Sequence, residues 1–345
     1  MIRSIQIRKP NDFHHHLRDG EMLDITANEC FNRFNYTVIM PNLIPPIYTI
    51  EEATDYKKRI MKINNKGTPL MTLYLSKNIS ESDLYAFKSN KNMIGIKYYP
   101  KAATTNSEYG VNDLNDVYHI LKIMEDEKIP LLIHGESIKK NIDIFDKERF
   151  FLEDELSVII ESFPSLPIVL EHISTRVAVN FVLKHNIHAT ITPHHLLLDR
   201  NDIFKNGINP HLYCLPILKR LTDRNALLDA ALSGKQNFFL GTDSAPHCEN
   251  NKLTSCGCAG IFNCTVAIEI IVGLFDKYNK LENLEKFIST NGCDFYNLKY
   301  NDDFVIITNE KWVVPEKYGN IVPLCAGKEL DWKCCCCSLH TDKLV

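Results

Sequence analysis

The amino-acid sequence predicts an α/β fold and, within that class, a TIM (β/α)8 barrel. Short runs rich in β-branched and apolar residues recur eight times, and longer stretches with helical spacing of apolar residues separate them. A length of 345 residues is long for one ordinary domain but normal for such a barrel. We therefore expect a single barrel of repeated strand–helix units.

The predicted elements follow in chain order. Three intervening stretches have helical apolar spacing and polar outer faces, namely Ile50–Asn64, Leu114–Lys128 and Ser174–Asn186. The barrel domain is predicted to span residues 1–333 and to end in a C-terminal helical extension, with residues 334–345 forming a disordered tail. The eight predicted strands are Ser4–Arg8, Thr37–Met40, Leu70–Leu75, Met93–Tyr98, Pro130–His134, Pro167–His172, His188–Thr192 and Phe238–Asp243.

Composition favours an intracellular protein that acts on a small molecule. The formal net charge of -4 and the pI near 6.4 give no electrostatic reason to expect nucleic acid or a membrane surface as a partner. No run approaches the roughly 18 apolar residues of a membrane span, and the first residues do not resemble a secretory signal. We therefore expect a cytoplasmic location.

The chain contains twelve cysteines, which we expect to be mainly reduced because the protein is large and most of them lie in apolar segments. The run Cys334 to Cys337 is poorly spaced for structural zinc, although Cys334 and Cys337 alone satisfy C-x-x-C. A reduced, disordered tail is the favoured interpretation, and metal binding or lipidation are the alternatives.

Reactive side chains stand at the carboxyl ends of the predicted strands, which is where barrel enzymes place their chemistry. A structural histidine has no reason to prefer one rim of a barrel. If the fold is right, these side chains converge: His14, His15, His16, Arg18, Asn42, Lys97, His134, His172 and Asp243.

A metal site is the chemistry that these side chains suit. His14 and His16 are one residue apart, so in an extended segment both imidazoles project to the same side, whereas His15 points away. Taken alone this H-x-H is a weak signal. Together with His134, His172 and Asp243 it predicts a zinc site.

Lys97 is unusual among presumed metal ligands because metal ions would repel its ammonium. In one interpretation the lysine reaches the rim and pairs with a carboxylate. In the other it reacts with carbon dioxide to form a carbamate, an anion able to bridge two ions. Other common chemistries lack their motifs, since the chain has no G-x-S-x-G elbow, P-loop, H-E-x-x-H or dinucleotide fingerprint.

The sequence resembles the amidohydrolase superfamily and, within it, the freestanding, bacterial-type dihydroorotases. The resemblance covers roughly residues 3 to 333, and its blocks occur in family order. They are FHHHLRDG (13 to 20), MPNL (40 to 43), GIKYYPKAATTNS (95 to 107), LLIHGE (131 to 136), LEHIST (170 to 175), TITPHHL (190 to 196), PHLYCLPILKR (210 to 220), GTDSAPH (241 to 247) and SCGCAGIFN (255 to 263).

The resemblance implies two zinc ions per subunit and a metal-dependent amidohydrolase barrel. His14, His16 and Asp243 would hold one ion and His134 and His172 the other, with N6-carboxylated Lys97 and a hydroxide bridging them. Asp243 would also be the catalytic proton carrier. The implied substrate contacts are the side chains of Arg18, Asn42 and His247, the backbone of Leu215 and Ala259, and the mobile-loop residues Thr104 and Thr105.

The function implied is the reversible interconversion of N-carbamoyl-L-aspartate and L-dihydroorotate in pyrimidine biosynthesis, in a homodimer. One rival is another ring-opening amidohydrolase, such as a hydantoinase or allantoinase, without the carboxylate grip. A second is a non-catalytic relative that serves as an assembly partner. His15 and the cysteine-rich tail depart from the family pattern, and His195 and Cys258 receive no role.

Overall fold

The structure, a computed structural model, describes residues 3–335 and is built around a barrel of parallel strands. The first strand of the chain, β1 (Ser4–Arg8), lies outside the barrel. The eight barrel strands are adjacent in chain order, which confirms the predicted fold. They are β2 (Asp12–His15), β3 (Tyr36–Ile39), β4 (Thr68–Tyr74), β5 (Met93–Tyr98), β6 (Leu131–His134), β7 (Ile168–Glu171), β8 (His188–Ile191) and β9 (Phe238–Leu240).

The barrel closes between β2 and the segment that follows β9. The amide of Asp243 donates to the carbonyl of His14 at 2.8 Å, and the amide of His16 donates to the carbonyl of Ser244 at 3.1 Å. His15 and Ser244 form a parallel bridge between these hydrogen bonds. Closure therefore occurs in the segments that carry three of the predicted ligands.

Helices and short turns connect the strands. The 3-10 turns are Leu114–Val117, Pro210–Leu212 and Leu281–Asn283, and the π turns are Leu152–Leu156 and Lys286–Thr290. The α-helices are α1 (Glu21–Phe31), α2 (Ile50–Ile63), α3 (Glu81–Phe87), α4 (Tyr118–Glu127), α5 (Lys147–Phe151), α6 (Ser157–Ser162), α7 (Arg176–His185), α8 (Pro193–Leu197), α9 (Arg200–Ile203), α10 (Leu221–Leu232), α11 (Glu249–Lys252), α12 (Ala267–Lys277) and α13 (Asn291–Tyr296).

The three predicted helices form, with ends set by local chemistry. The hydroxyl of Thr49 accepts from the amide of Glu52 in a capping box, so α2 begins at the next residue after Thr49. Thr175 caps α7 in the same manner through the amide of Ala178, which places the helix start after the predicted Ser174. The predicted Leu114–Lys128 helix begins with a 3-10 turn before α4.

Aromatic rings fill the amino end of the barrel. Phe13 lies 5.2 Å from Phe239 and 5.5 Å from Tyr296, measured between ring centroids. Tyr296 comes from α13, which packs close to the barrel because a Cβ at Gly292 would lie 2.2 Å from the Phe13 ring. This apolar plug leaves only the carboxyl end of the barrel open to polar chemistry.

The prediction that Ser4–Arg8 is the first barrel strand is wrong. β1 pairs antiparallel with β10 (Phe304–Thr308), which also pairs with a C-terminal strand, and its residues are mostly partly exposed. The real first strand contains Asp12 and two histidines, so it lacks the β-branched composition by which a buried strand is recognised. All four of its residues are nevertheless buried.

The last part of the chain that the structure describes, residues 304–335, forms β-strands rather than a helical extension. After α12 and α13 come β10 and three further strands: β11 (Trp312–Val313), β12 (Glu329–Leu330) and β13 (Lys333–Cys335). The predicted disordered tail is wrong for Cys334 and Cys335, because both belong to β13 and Cys334 is buried. The remaining tail prediction, including Cys336 and Cys337, lies outside the described residues.

Nine cysteines among residues 3–335 have free thiols, in agreement with the predicted reduced state. They are Cys30, Cys214, Cys248, Cys256, Cys258, Cys264, Cys293, Cys325 and Cys335.

Among the helices in residues 3–335, none is both long and apolar enough to cross a lipid bilayer.

Candidate metal centre and substrate pocket

His14, His16 and Asp243 form a compact group where the barrel closes. The Nε2 atoms of His14 and His16 are 3.3 Å apart. The Oδ1 atom of Asp243 lies 3.5 Å from the Nε2 atom of His14 and 3.2 Å from the Nε2 atom of His16. All three side chains are buried, and their ligand atoms lie within 4.8 Å of one another. Converging imidazole nitrogens and a carboxylate are a donor set that suits zinc.

His134 and His172 form a second group beside the first. The Nδ1 atom of His134 lies 3.2 Å from the Nε2 atom of His172. The ring centroid of His172 is 4.8 Å from that of His134 and 4.9 Å from that of His14. The structure therefore brings all five predicted histidine and aspartate ligands to one mouth of the barrel.

Lys97 reaches this mouth from β5 with no exposure to solvent. Its Nζ atom has no hydrogen-bond partner among residues 3–335. Burial lowers the pKa of Lys97 to about 8, although Glu171 and Asp243 act to raise it. The interpretation in which Lys97 reaches the rim and pairs with a carboxylate is therefore wrong, because the side chain is fully buried and forms no such ion pair.

Electrostatics keep most of the imidazoles neutral, the form that binds metals. Burial lowers the pKa of His16 to about 3, and it also lowers the pKa values of His134 and His172. Burial would lower the pKa of His14 as well, but Glu171 and Asp243 raise it overall. Burial raises the pKa of Asp243, and its contacts with His14 and His16 outweigh that effect, so the carboxylate is ionised.

Polar side chains on the outer side of His14, His16 and His134 fix which nitrogen of each ring faces the centre. The Nδ1 atom of His14 lies 2.9 Å from a carboxylate oxygen of Glu171, an ion-pair contact, and that of His16 lies 2.8 Å from the Oδ1 atom of Asn42. His134 is turned the other way, with its Nε2 atom 2.9 Å from Glu136. His14 and His16 thus present Nε2, whereas His134 presents Nδ1.

Three residues of the site have a strained backbone conformation. His172 has a φ of 41°, Asp243 of 46° and Arg18 of 62°, all in the left-handed region that residues with a Cβ rarely adopt. A hydrogen bond holds each of them: the His172 amide donates to the Thr190 hydroxyl at 2.7 Å, the Asp243 amide donates to the His14 carbonyl at 2.8 Å, and the Tyr56 hydroxyl donates to the Arg18 carbonyl. Such strain is concentrated at functional sites.

A small cavity lies beside the candidate metal ligands and is lined by most of the residues predicted to contact the substrate. A larger groove between α7 and α10 includes Phe238, at the amino end of β9, so it lies away from these strand ends. The lining residues of the small cavity are His16, Arg18, Asn42, Thr104, Thr105, Leu215, Asp243, Ala245, Ala259 and Gly260.

Arg18 and His247 place two nitrogen groups side by side at this cavity. The Nη2 atom of Arg18 lies 3.1 Å from the Nε2 atom of His247, which is also 3.0 Å from the carbonyl of Ala259. Burial, reinforced by Arg18, lowers the pKa of His247 to about 3, so the ring is neutral. No carboxylate within residues 3–335 forms an ion pair with Arg18, which leaves a partly buried cation suited to an anionic ligand.

The segment around Thr104 and Thr105 crosses the mouth of the cavity. The carbonyl of Thr105 accepts from the Asn42 amide at 3.0 Å, and its hydroxyl donates to the carbonyl of Ala259 at 3.2 Å. The backbone amide of Thr104 donates to the Ser107 hydroxyl at 2.9 Å. The predicted loop therefore contacts both sides of the cavity.

Sequence reasoning missed the carboxylates that support the ligands. Asp12 is fully buried and accepts from the amide of Thr242 at 2.7 Å, from its hydroxyl at 2.5 Å and from the His15 ring at 2.7 Å. His15 thus points away from the centre, as predicted, and holds Asp12. The available signal was a carboxylate beside a histidine in a buried strand, which also marks Glu136 and Glu171.

A second histidine group, His194 and His195 with Cys214, also brings its possible ligand atoms within 4.8 Å of one another. Both ring nitrogens of His195, however, contact groups outside this cluster, since Nδ1 lies 2.8 Å from the Thr192 hydroxyl and Nε2 lies 3.0 Å from the carbonyl of Pro216. His195 is therefore a structural residue that ties α8 to the segment after Cys214.

Comparison with known proteins agrees with this geometry. The model of the amidohydrolase family matches residues 11–302. The dihydroorotase of Acaryochloris marina is 46% identical over 341 residues, which cover 96% of this chain and 99% of that one.

Solved dihydroorotases share the fold over nearly the whole chain. The Saccharomyces cerevisiae enzyme, determined in complex with 5-fluoroorotic acid, superposes with a TM-score of 0.90 at 35% identity and covers 96% of this chain and 98% of its own. The Campylobacter jejuni enzyme gives a TM-score of 0.89 at 38% identity, with 97% and 98% coverage. The chain is therefore an enzyme of the amidohydrolase family and belongs to its dihydroorotase branch.

Proposed function

We propose that this enzyme interconverts N-carbamoyl-L-aspartate and L-dihydroorotate plus water at a centre of two zinc ions. The observation that carries the proposal is the Arg18 guanidinium, a partly buried cation without a carboxylate ion pair within residues 3–335. It contacts His247 and lines a cavity that Asp243 also lines. A cyclic amide whose ring carries a free carboxylate fits this arrangement.

The residues present fit two metal ions. His14, His16 and Asp243 would hold one ion through Nε2 and carboxylate oxygens, and His134 and His172 would hold the other. Lys97 lies in the same mouth as a buried amine for which residues 3–335 provide no hydrogen-bond partner, and conversion to a carbamate that binds both ions would remove this unfavourable state. Zinc bound there would polarise a carbonyl oxygen and lower the pKa of a bound water to about 7.

Asp243 is the residue placed to move the proton. Its carboxylate is ionised, and the Oδ1 atom lies within 3.5 Å of the Nε2 atoms of His14 and His16. The side chain also lines the substrate cavity. During hydrolysis it would accept a proton from the attacking water and deliver it to the leaving ring nitrogen. In the reverse direction the same proton transfers close the ring.

Arg18, Asn42 and His247 would hold the substrate's own carboxylate. A guanidinium can make two parallel charged hydrogen bonds to such a group. The Asn42 amide, which donates to Thr105 in this structure, would serve both the substrate and the His16 ring through its two ends. The backbone of Leu215 and Ala259 would contact the ring, and Thr104 and Thr105 would cover it.

The overall reaction has a pH dependence that follows from its proton balance. The ring-opened compound has one more carboxylate than the cyclic one, so ring closure consumes a proton. Low pH therefore favours dihydroorotate and high pH favours carbamoyl aspartate. This direction is a property of the substrates and provides a check on the identity of the reaction.

The rival ring-opening amidohydrolases, hydantoinases and allantoinases, would share the metal ligands but not the carboxylate grip. An ultraviolet assay of the purified protein with L-dihydroorotate, beside hydantoin and allantoin, separates them. We expect turnover of dihydroorotate alone. Preference for hydantoin or allantoin would contradict the proposal, and inactivity towards all three would favour a non-catalytic assembly partner.

We also propose that the enzyme works as a homodimer in the cytoplasm. The basis is its resemblance to the freestanding dihydroorotases, together with a charge that does not favour nucleic acid or membrane partners. Sedimentation equilibrium of the purified chain should give twice the monomer mass of 39.6 kDa. A monomer at micromolar concentration would contradict this part of the proposal.

A further inference from the structure

Lys252 is a buried cation that the proposed mechanism does not use. It ends the short helix α11 and is 3% exposed. Its Nζ atom donates to the carbonyls of Tyr213 at 2.8 Å, Cys258 at 2.8 Å and Gly260 at 2.9 Å. The three protons of the ammonium are thus all used on backbone oxygens.

Those carbonyls belong to the two backbone segments that border the substrate cavity. Cys258 and Gly260 flank Ala259, whose own carbonyl accepts from the Thr105 hydroxyl and contacts the His247 ring. Tyr213 lies two residues before Leu215, on the other segment. One ammonium therefore links both segments and fixes the direction in which the Ala259 peptide faces.

Burying Lys252 in this position destabilises the folded protein, so stability alone does not explain the residue. No carboxylate of residues 3–335 forms an ion pair with Lys252, and a buried ammonium without one is unfavourable. Burial lowers the pKa of Lys252 to about 8, which reflects that cost. Hydrogen bonds to neutral carbonyls offset only part of it, so a positional role accounts for a lysine here better than packing does.

We propose that Lys252 is a positioning residue for substrate binding, which orients the Ala259 peptide and the Leu215 segment against the substrate ring. This inference rests on the proposed function. Lys252 touches neither the ligand groups nor Asp243, so its loss should weaken binding of substrate and transition state alike. Such a loss raises KM and leaves kcat nearly unchanged.

The test replaces Lys252 by Met, which keeps the length of the side chain but donates no hydrogen bond. We expect KM for L-dihydroorotate to rise about tenfold or more, with kcat and zinc content within about twofold of the wild type. Lys252→Arg keeps the charge and several hydrogen-bond donors, so its KM should lie between that of the wild type and that of Lys252→Met. Lys252→Gln, with two donors and no charge, provides a second variant if the Met protein does not fold.

Lys317→Met is the matched control, because Lys317 pairs with Glu249 on the same helix α11 at 2.7 Å but is about half exposed. It should leave KM unchanged. An active wild type whose Met and Gln variants keep a normal KM overturns the role of Lys252. A fall in kcat or zinc content at normal KM overturns it also, whereas an inactive wild type instead contradicts the proposed function.

Discussion

Glu136→Gln should weaken zinc binding at the half of the centre formed by His134 and His172. The Oε2 atom of Glu136 lies 2.9 Å from the His134 Nε2 atom, and both side chains are 1% exposed. The carboxylate therefore fixes His134 with Nδ1 facing His172, where the proposed ion would bind. Glutamine has nearly the same shape, and its amide nitrogen can occupy the position of Oε1, which has no hydrogen-bond partner among the described residues.

The magnitude follows from the loss of the negative charge in a buried hydrogen bond behind a proposed ligand, since the glutamine carbonyl can still accept from His134. Replacing such an outer partner typically reduces metal affinity about 10- to 100-fold, which corresponds to about 1.4 to 2.7 kcal/mol. The effect should fall on one of the two ions, because Glu136 contacts neither His14 nor His16. We therefore expect the variant to lose one zinc at a chelator concentration at which the wild type keeps both.

The assay is titration with a chromophoric chelator, with circular dichroism to show that the variant is folded. Glu153→Gln is a suitable control, since Glu153 is about half exposed and forms only a long ion pair, with 3.8 Å between its Oε1 atom and the Nη1 atom of Arg149. Zinc affinities within about twofold of the wild type for both ions, in a folded Glu136→Gln protein, would refute the assigned orientation of His134.

Three further substitutions test the other parts of the centre. Lys97→Ala should lose zinc and turnover together, and full zinc occupancy with normal activity would exclude the carbamate. Arg18→Met should raise KM for dihydroorotate about 10- to 100-fold because the charged hydrogen bonds to the substrate carboxylate are lost, and an unchanged KM would remove Arg18 from the binding role. Asp243→Asn should reduce kcat at least about 100-fold by removing the proton carrier, whereas survival of most activity would point to another base.

Much of the barrel could be predicted because its central strands are buried on both faces and read as short apolar runs. Met93–Tyr98 was predicted with its exact limits, and six other barrel strands within a few residues. The first strand could not be found in this manner, because Asp12 and the histidines that follow give it the appearance of a loop. The signal of β2 is weak because three of its four residues are polar.

The ligand set was predictable from residue type and position, but its support was not. His134 and His172 stand at strand ends, where the fold itself implies convergence. Asp12, Glu136 and Lys252 act through hydrogen bonds to residues whose proximity only the folded chain reveals, such as Thr242 from the last strand end. A buried charge in an apolar segment is a signal, yet the sequence does not tell which partner satisfies it.

The central claim is that side chains distant in sequence hold divalent ions at one mouth of the barrel. Metal analysis of the purified protein, combined with the dihydroorotate assay before and after chelation, tests it most directly. We predict two zinc ions per chain, loss of activity when they are removed and recovery when zinc is restored. A protein that turns over dihydroorotate at full rate without bound metal would contradict the account.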